Sequence, residues 1–144
     1  GRDVKGNMAA LAALARSPLP LPLATLTARR SILSLDNLAA AVLHALADHR
    51  VAPGAYLVAD PGAITVAEMI AAMREGLARR PGLFSAPAAA MNALARLAGR
   101  AEAWKRLSQA LVVDTGRLQA TGWRPAVSTR DALAAWMRQA ARQN

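Results

Sequence analysis

Cysteine is missing from this 144-residue chain, which excludes disulfides, thiolate metal sites and cysteine nucleophiles. Aromatic side chains are scarce, one Phe, one Tyr and three Trp, too few to suggest a stacking platform for single-stranded nucleic acid. Lysine is almost absent, since Lys5 and Lys105 are the only two, so the net charge of +9 is carried by arginine. No apolar run reaches the roughly 18 to 20 residues of a membrane span, because Arg16, Arg74 and Arg96 interrupt the best candidates. No two of the nine glycines stand two apart, and neither lysine follows a glycine at P-loop spacing. A glycine-rich phosphate cradle of either kind is therefore excluded. The opening Gly1-Arg2-Asp3 has no initiator methionine and no cleavable signal, and it reads as a start in mid-protein, with the cytoplasm as the expected compartment.

What the chain does have is alanine and leucine, within a 54% hydrophobic composition. That favours closely packed helices over a strand-rich core. The expected fold class is α/β, predominantly helical with a few short strands.

Asn7 is placed to cap a helix over Met8 to Arg16, and Ser17-Pro18 stops it. The alternation Leu19-Pro20-Leu21-Pro22-Leu23 forces an extended segment at an edge, because proline cannot donate to a ladder. A short strand is expected at Ser31 to Leu35, followed by a helix from Leu38 to about Asp48 capped by Asp36 or Asn37. Pro53-Gly54 turns the chain into a strand at Tyr56 to Ala59. Thr65-x-x-Glu68 then announces a capping box and a helix to about Arg79. An extended piece at Leu83-Phe84, helices at Pro87 to Ala98 and Glu102 to Leu107, and a strand at Leu111 to Val113 follow. Asp114 caps a small helix ending at Thr121-Gly122, and Ser128-x-x-Asp131 opens the last helix, Ala132 to about Arg142, with Leu133, Trp136, Met137 and Ala140 inward.

Few side chains suggest chemistry. His44 and His49 stand five apart on one helix, facing different ways with no carboxylate cluster near them in sequence, so no metal site is expected. The charge admits two readings, a basic face for a phosphate-bearing ligand or nucleic acid, and solvated arginines in an arginine-biased protein. Arg29-Arg30 and Arg79-Arg80 favour the first, but nucleic-acid binding is not expected without a reading helix or an aromatic platform.

Several segments, in order, resemble the carboxy-terminal half of the extended short-chain dehydrogenases, the NAD-dependent nucleotide-sugar epimerases and dehydratases, with the UDP-sugar epimerases among them. Gly1 to Asn7 resembles the tail of that family's Tyr-Gly-Pro-Gly loop and the Asn beyond it, with Arg2-Asp3 in place of Pro-Gly. Arg30-Ser31-Ile32-Leu33-Ser34-Leu35-Asp36-Asn37-Leu38-Ala39 is similar to its Arg-Asp-Phe-Ile-Tyr-Val-Asp-Asp-Val-Ala. Tyr56 to Asp60 is similar to its Tyr-Asn-Val-Gly strand. Asp114 to Leu118 and Thr121-Gly122-Trp123-Arg124-Pro125 look like its Asp-Xaa-Ser-Lys and Leu-Gly-Trp-Xaa-Pro.

The resemblance implies that residues 1–144 form a single carboxy-terminal substrate-binding lobe of a longer protein, without the amino-terminal NAD-binding Rossmann domain. It implies that Arg30 reaches the pyrophosphate of a nucleotide sugar, with Arg106 as the nearest candidate for a second phosphate-binding arginine. It further implies that Asn7 and Met8 approach the uridine or its ribose and that Leu21, Pro22 and Leu23 flank the base. NAD would bind the parent and not this piece. The family's Tyr-x-x-x-Lys pair is not here, since Tyr56 is followed four residues later by Asp60, so no catalytic residue is assigned and the piece alone is not expected to be active. The expected partners are a nucleotide sugar, the missing Rossmann domain and a second copy in a homo-oligomer. The alternative is a free-standing basic helical module that binds nucleic acid or protein.

Overall fold

Among the described residues helix is the only extensive regular structure. The computed structural model describes residues 7–142, the side chain of Ala103 excepted. The expectations placed on Gly1 to Gly6 lie outside the described residues. The elements are α1 (Asn7–Arg16), β1 (Arg29–Arg30), α2 (Leu35–Ala47), β2 (Ile64–Thr65), α3 (Val66–Gly76), α4 (Ala88–Leu97), α5 (Ala101–Leu107), α6 (Gly116–Gln119) and α7 (Thr129–Ala141). β1 and β2 pair antiparallel, Arg29 with Thr65 and Arg30 with Ile64. Leu111 adds a parallel bridge on the other side of Arg30.

α3 is the centre. Its Val66, Met69, Ile70 and Met73 recur at helical spacing and are all buried, against Leu11, Ala12 and Ala15 of α1 on one side and Leu133 and Met137 of α7 on the other. Gly76 allows α7 to come close, because a Cβ there would meet the Ala134 carbonyl oxygen at 2.3 Å. The Thr65 hydroxyl accepts from the Glu68 amide and the Glu68 carboxylate accepts from the Thr65 amide, the reciprocal capping box expected from the sequence. A smaller cluster of Ala41, Leu118 and Trp123, flanked by Tyr56 and Val58, ties α2 to α6.

Several expectations are corrected. α3 ends at Gly76, three residues before Arg79, because the chain turns left-handed at Ala78 (φ 55°). There the Ala78 amide donates to Glu75 O and the Arg79 amide to Arg74 O, the bond pair of a Schellman ending. α2 starts at Leu35, with Ser34 as its cap, so Asp36 and Asn37 lie inside its first turn. Ser31 to Leu35 is not a strand, and the ladder sits on Arg29 and Arg30 instead. Tyr56 to Ala59 forms no strand either: among the described residues its backbone makes no ladder bonds, and only the next residue, Asp60, bonds the Ile32 carbonyl. Leu111 to Val113 shrinks to the single bridge at Leu111.

Leu21 does run extended as its prolines require, exchanging backbone bonds with Gly82 O and the Phe84 amide. Trp123 is buried, as packing at that turn demanded, and Trp136 is half-buried.

Candidate functional site

Arg30 stands in the middle of the small ladder, and its guanidinium crosses to the end of α5. Its Nη2 donates to the carbonyls of Arg106, Leu107 and Gln109, each at 3.1 Å, while its Nε is buried with no partner among the described residues. The two arginines singled out in the sequence are thereby brought together through the Arg106 backbone; the Arg106 side chain is exposed. The α5 C-terminus offers carbonyls with no partner in the helix, which is why a cation settles there.

The other expected residues lie elsewhere on the molecule. Met8 is half-buried and borders a groove of 750 Å³ between the Ser31 to Asp36 connection and α7, where Ile32, Leu133 and Trp136 supply apolar walls. Asn7 is exposed at the start of α1. Leu21 and Pro22 are half-buried and Leu23 is buried, along the segment held by Gly82 and Phe84. Neither Arg30 nor Arg106 lines the groove, whose charged side chains are the carboxylates Asp36 and Asp60.

Two further polar centres were not anticipated. Asn37, fully buried, makes the four bonds its amide allows: Nδ2 donates to Asp60 Oδ1 and Val127 O, both at 2.7 Å, and Oδ1 accepts from the Ala126 and Val127 amides. Asp60 Oδ1 also accepts from the Ser34 amide and hydroxyl, each at 2.9 Å. This network holds the groove's floor. Arg74, 3% exposed, donates to carbonyls of Leu14, Ser17, Leu19, Pro81 and Gly82, with no carboxylate among the described residues bonded to it. Burial pushes its pKa below the usual arginine value, with the Arg79 charge adding to the effect. A signal for both was present: Asn37 lies four before Ala41 and Arg74 four after Ile70, each on the buried stripe of its helix.

His44 bonds Thr121 Oγ1 through Nε2 at 2.9 Å, but the Thr121 hydroxyl donates to Leu118 O, so this pair fastens a turn and offers no nucleophile. Arg50 hydrogen-bonds Asp48 and holds that carboxyl well below the usual carboxylate range. No helix among the described residues is long and apolar enough to cross a membrane.

Among known proteins the chain is similar to a UDP-glucose 4-epimerase of Vibrio cholerae, 28% identical over 127 residues, which cover 87% of this chain and 39% of that protein. The chain thus spans about two fifths of its relative's length. No family model and no solved structure matches.

Proposed function

We propose that this chain is the lobe that binds and positions a nucleotide sugar in an NAD-dependent epimerase or dehydratase of the extended short-chain dehydrogenase kind. The observation that carries the reading is the 28% identity with a UDP-glucose 4-epimerase across 127 residues. In this reading Arg30 and Arg106 meet the diphosphate, Asn7 and Met8 approach the uridine or its ribose, and Leu21, Pro22 and Leu23 flank the base. A guanidinium suits the first role because it can donate in one plane to two phosphate oxygens.

NAD would be held by another part of the protein. The described residues do not fit a dinucleotide: their only strands are two residues each and antiparallel, with no glycine-rich strand-to-helix turn. Hydride transfer is therefore not assigned to them. Tyr56 gives no support for a base, since its hydroxyl donates to Ala52 O and Arg117 lies over its ring at 4.6 Å. The work of this lobe is orientation, which lowers a barrier by fixing the sugar against the reacting centre.

The Rossmann domain is the partner this reading requires, and an apolar surface suits it. α2 leaves Leu35, Leu38, Val42, Leu43 and Leu46 exposed, beside the extended Tyr56 to Ala59 with its free backbone edge. A cytoplasmic setting is part of the same proposal.

The test is UDP binding, by calorimetry, to the full-length protein that contains this chain. Arg30→Ala is expected to weaken it by about tenfold or more, the loss of a charge-assisted contact. Unchanged affinity would remove the site. Duplex DNA titrated at two salt concentrations tests the alternative, since binding through several phosphates must fall steeply with salt.

A further inference from the structure

The Arg30 guanidinium is already engaged. A guanidinium binds a phosphate in bidentate fashion along one of two edges, Nη1 with Nη2 or Nε with Nη2, and both edges use Nη2. In this structure the two Nη2 hydrogens serve three carbonyls, those of Arg106, Leu107 and Gln109. Nε is buried as well. An anion can therefore take Arg30 by its fork only if the end of α5 gives up its share.

What α5 belongs to is loosely moored. α4 has no buried residue and leaves Leu94 and Leu97 exposed. α5 reaches the main core through Trp104 and Leu107, both only partly buried. Arg30 ties the end of α5 itself to the ladder, while Leu111, four residues further on, is held separately by its own backbone bonds to Arg29 and Ser31.

We infer that the α5 C-terminus and a diphosphate compete for the Arg30 guanidinium, so that anion binding frees the α5 C-terminus from Arg30 while Leu111 stays bonded to the ladder. The inference rests on the nucleotide-sugar reading of Arg30 and adds to it a conformational consequence. Ligand entry and the Arg30–α5 contact become one equilibrium, and each opposes the other by the same free energy. The Arg30–α5 contact lowers the apparent affinity for phosphate, and a substrate must supply enough contact elsewhere to open it.

Amide hydrogen exchange on the full-length protein that contains this chain, with and without inorganic pyrophosphate or UDP, reads this directly. Saturating pyrophosphate is expected to speed exchange of the Trp104 to Gln109 amides by about tenfold, the effect of losing one or two charge-assisted bonds. Arg30→Ala is expected to show the fast exchange already without ligand and no further change with it. Arg30→Lys, which keeps the charge but lacks the fork, is expected to exchange at an intermediate rate and serves if the alanine variant does not fold. Pyrophosphate binding that depends on Arg30 but leaves exchange at 104–109 unchanged or slower would overturn the competition and leave the site reading standing. Absence of pyrophosphate and UDP binding, or binding indifferent to Arg30, would overturn both.

Discussion

Asn37 shows how much one side chain can hold. Its four bonds join the first turn of α2 to Asp60 and to the strand-like approach to α7. Truncation leaves the Ala126 amide and the Val127 amide and carbonyl without partners and removes one donor from a buried carboxylate. Each unpaired buried group costs about 1–3 kcal/mol, partly relieved by water from the neighbouring groove. Asn37→Ala is accordingly expected to destabilise the chain by about 2–4 kcal/mol in urea titration. Asn37→Asp is expected to do the same at neutral pH, by setting two carboxylates side by side, and to recover part of the loss as pH falls and one of them protonates. The residue was legible as polar and near a helix start, hence its assignment as a cap. Its burial depends on residues 60 and 126–127, which sequence spacing cannot bring together.

At the scale of single elements, short-range chemistry was readable and long-range pairing was not. The capping box at Thr65 and the Ser128 hydroxyl cap on the Asp131 amide need only residues three apart, and both form. The Thr65 amide that bonds Glu68 is the main reason its carboxyl lies below the usual value. The stability it lends is complete above the ordinary glutamate pKa and fades as pH falls through the lowered one. The strands expected at Ser31 and Tyr56 are different, because a strand is defined by a neighbour and an apolar run says nothing about whether one is present. Arg30 was singled out through family likeness, while its engagement by α5 depends on residues 76 to 79 positions away. The end of α3 is a further case: an alanine occupies the left-handed position where glycine is usual, at a cost of roughly 1–2 kcal/mol. Ala78→Gly is expected to stabilise the chain by about 1 kcal/mol, less the added freedom of the unfolded state, as a rise in the denaturation midpoint. A fall would show that the Ala78 methyl contributes packing that outweighs the strain.

The molecule as a whole exposes more apolar surface than its core explains. Leu46 is 81% exposed and Leu97 87% exposed, on two separate helices. The α2 face that suits a Rossmann domain is also free to meet a second copy of itself. Light scattering over a concentration series is expected to show self-association, and Leu46→Glu to reduce it with a change in unfolding free energy within about 0.5 kcal/mol, as for other exposed positions. Association that survives this change would move the contact to α4. The net charge of +9 opposes close approach of two copies, so association is expected to strengthen as salt is added.

Arg74 bonds Leu14, 60 residues earlier in the chain. During synthesis α1 is therefore made well before its anchor exists. At about 5–20 residues per second, the wait is on the order of 3–12 seconds. Through that interval Leu11, Ala12 and Ala15 have no α3 to cover them, and α1 is too short to persist alone in water. α1 is thus secured only once α3 has been made, and the nascent chain passes through a stage in which this helix is open to chaperones.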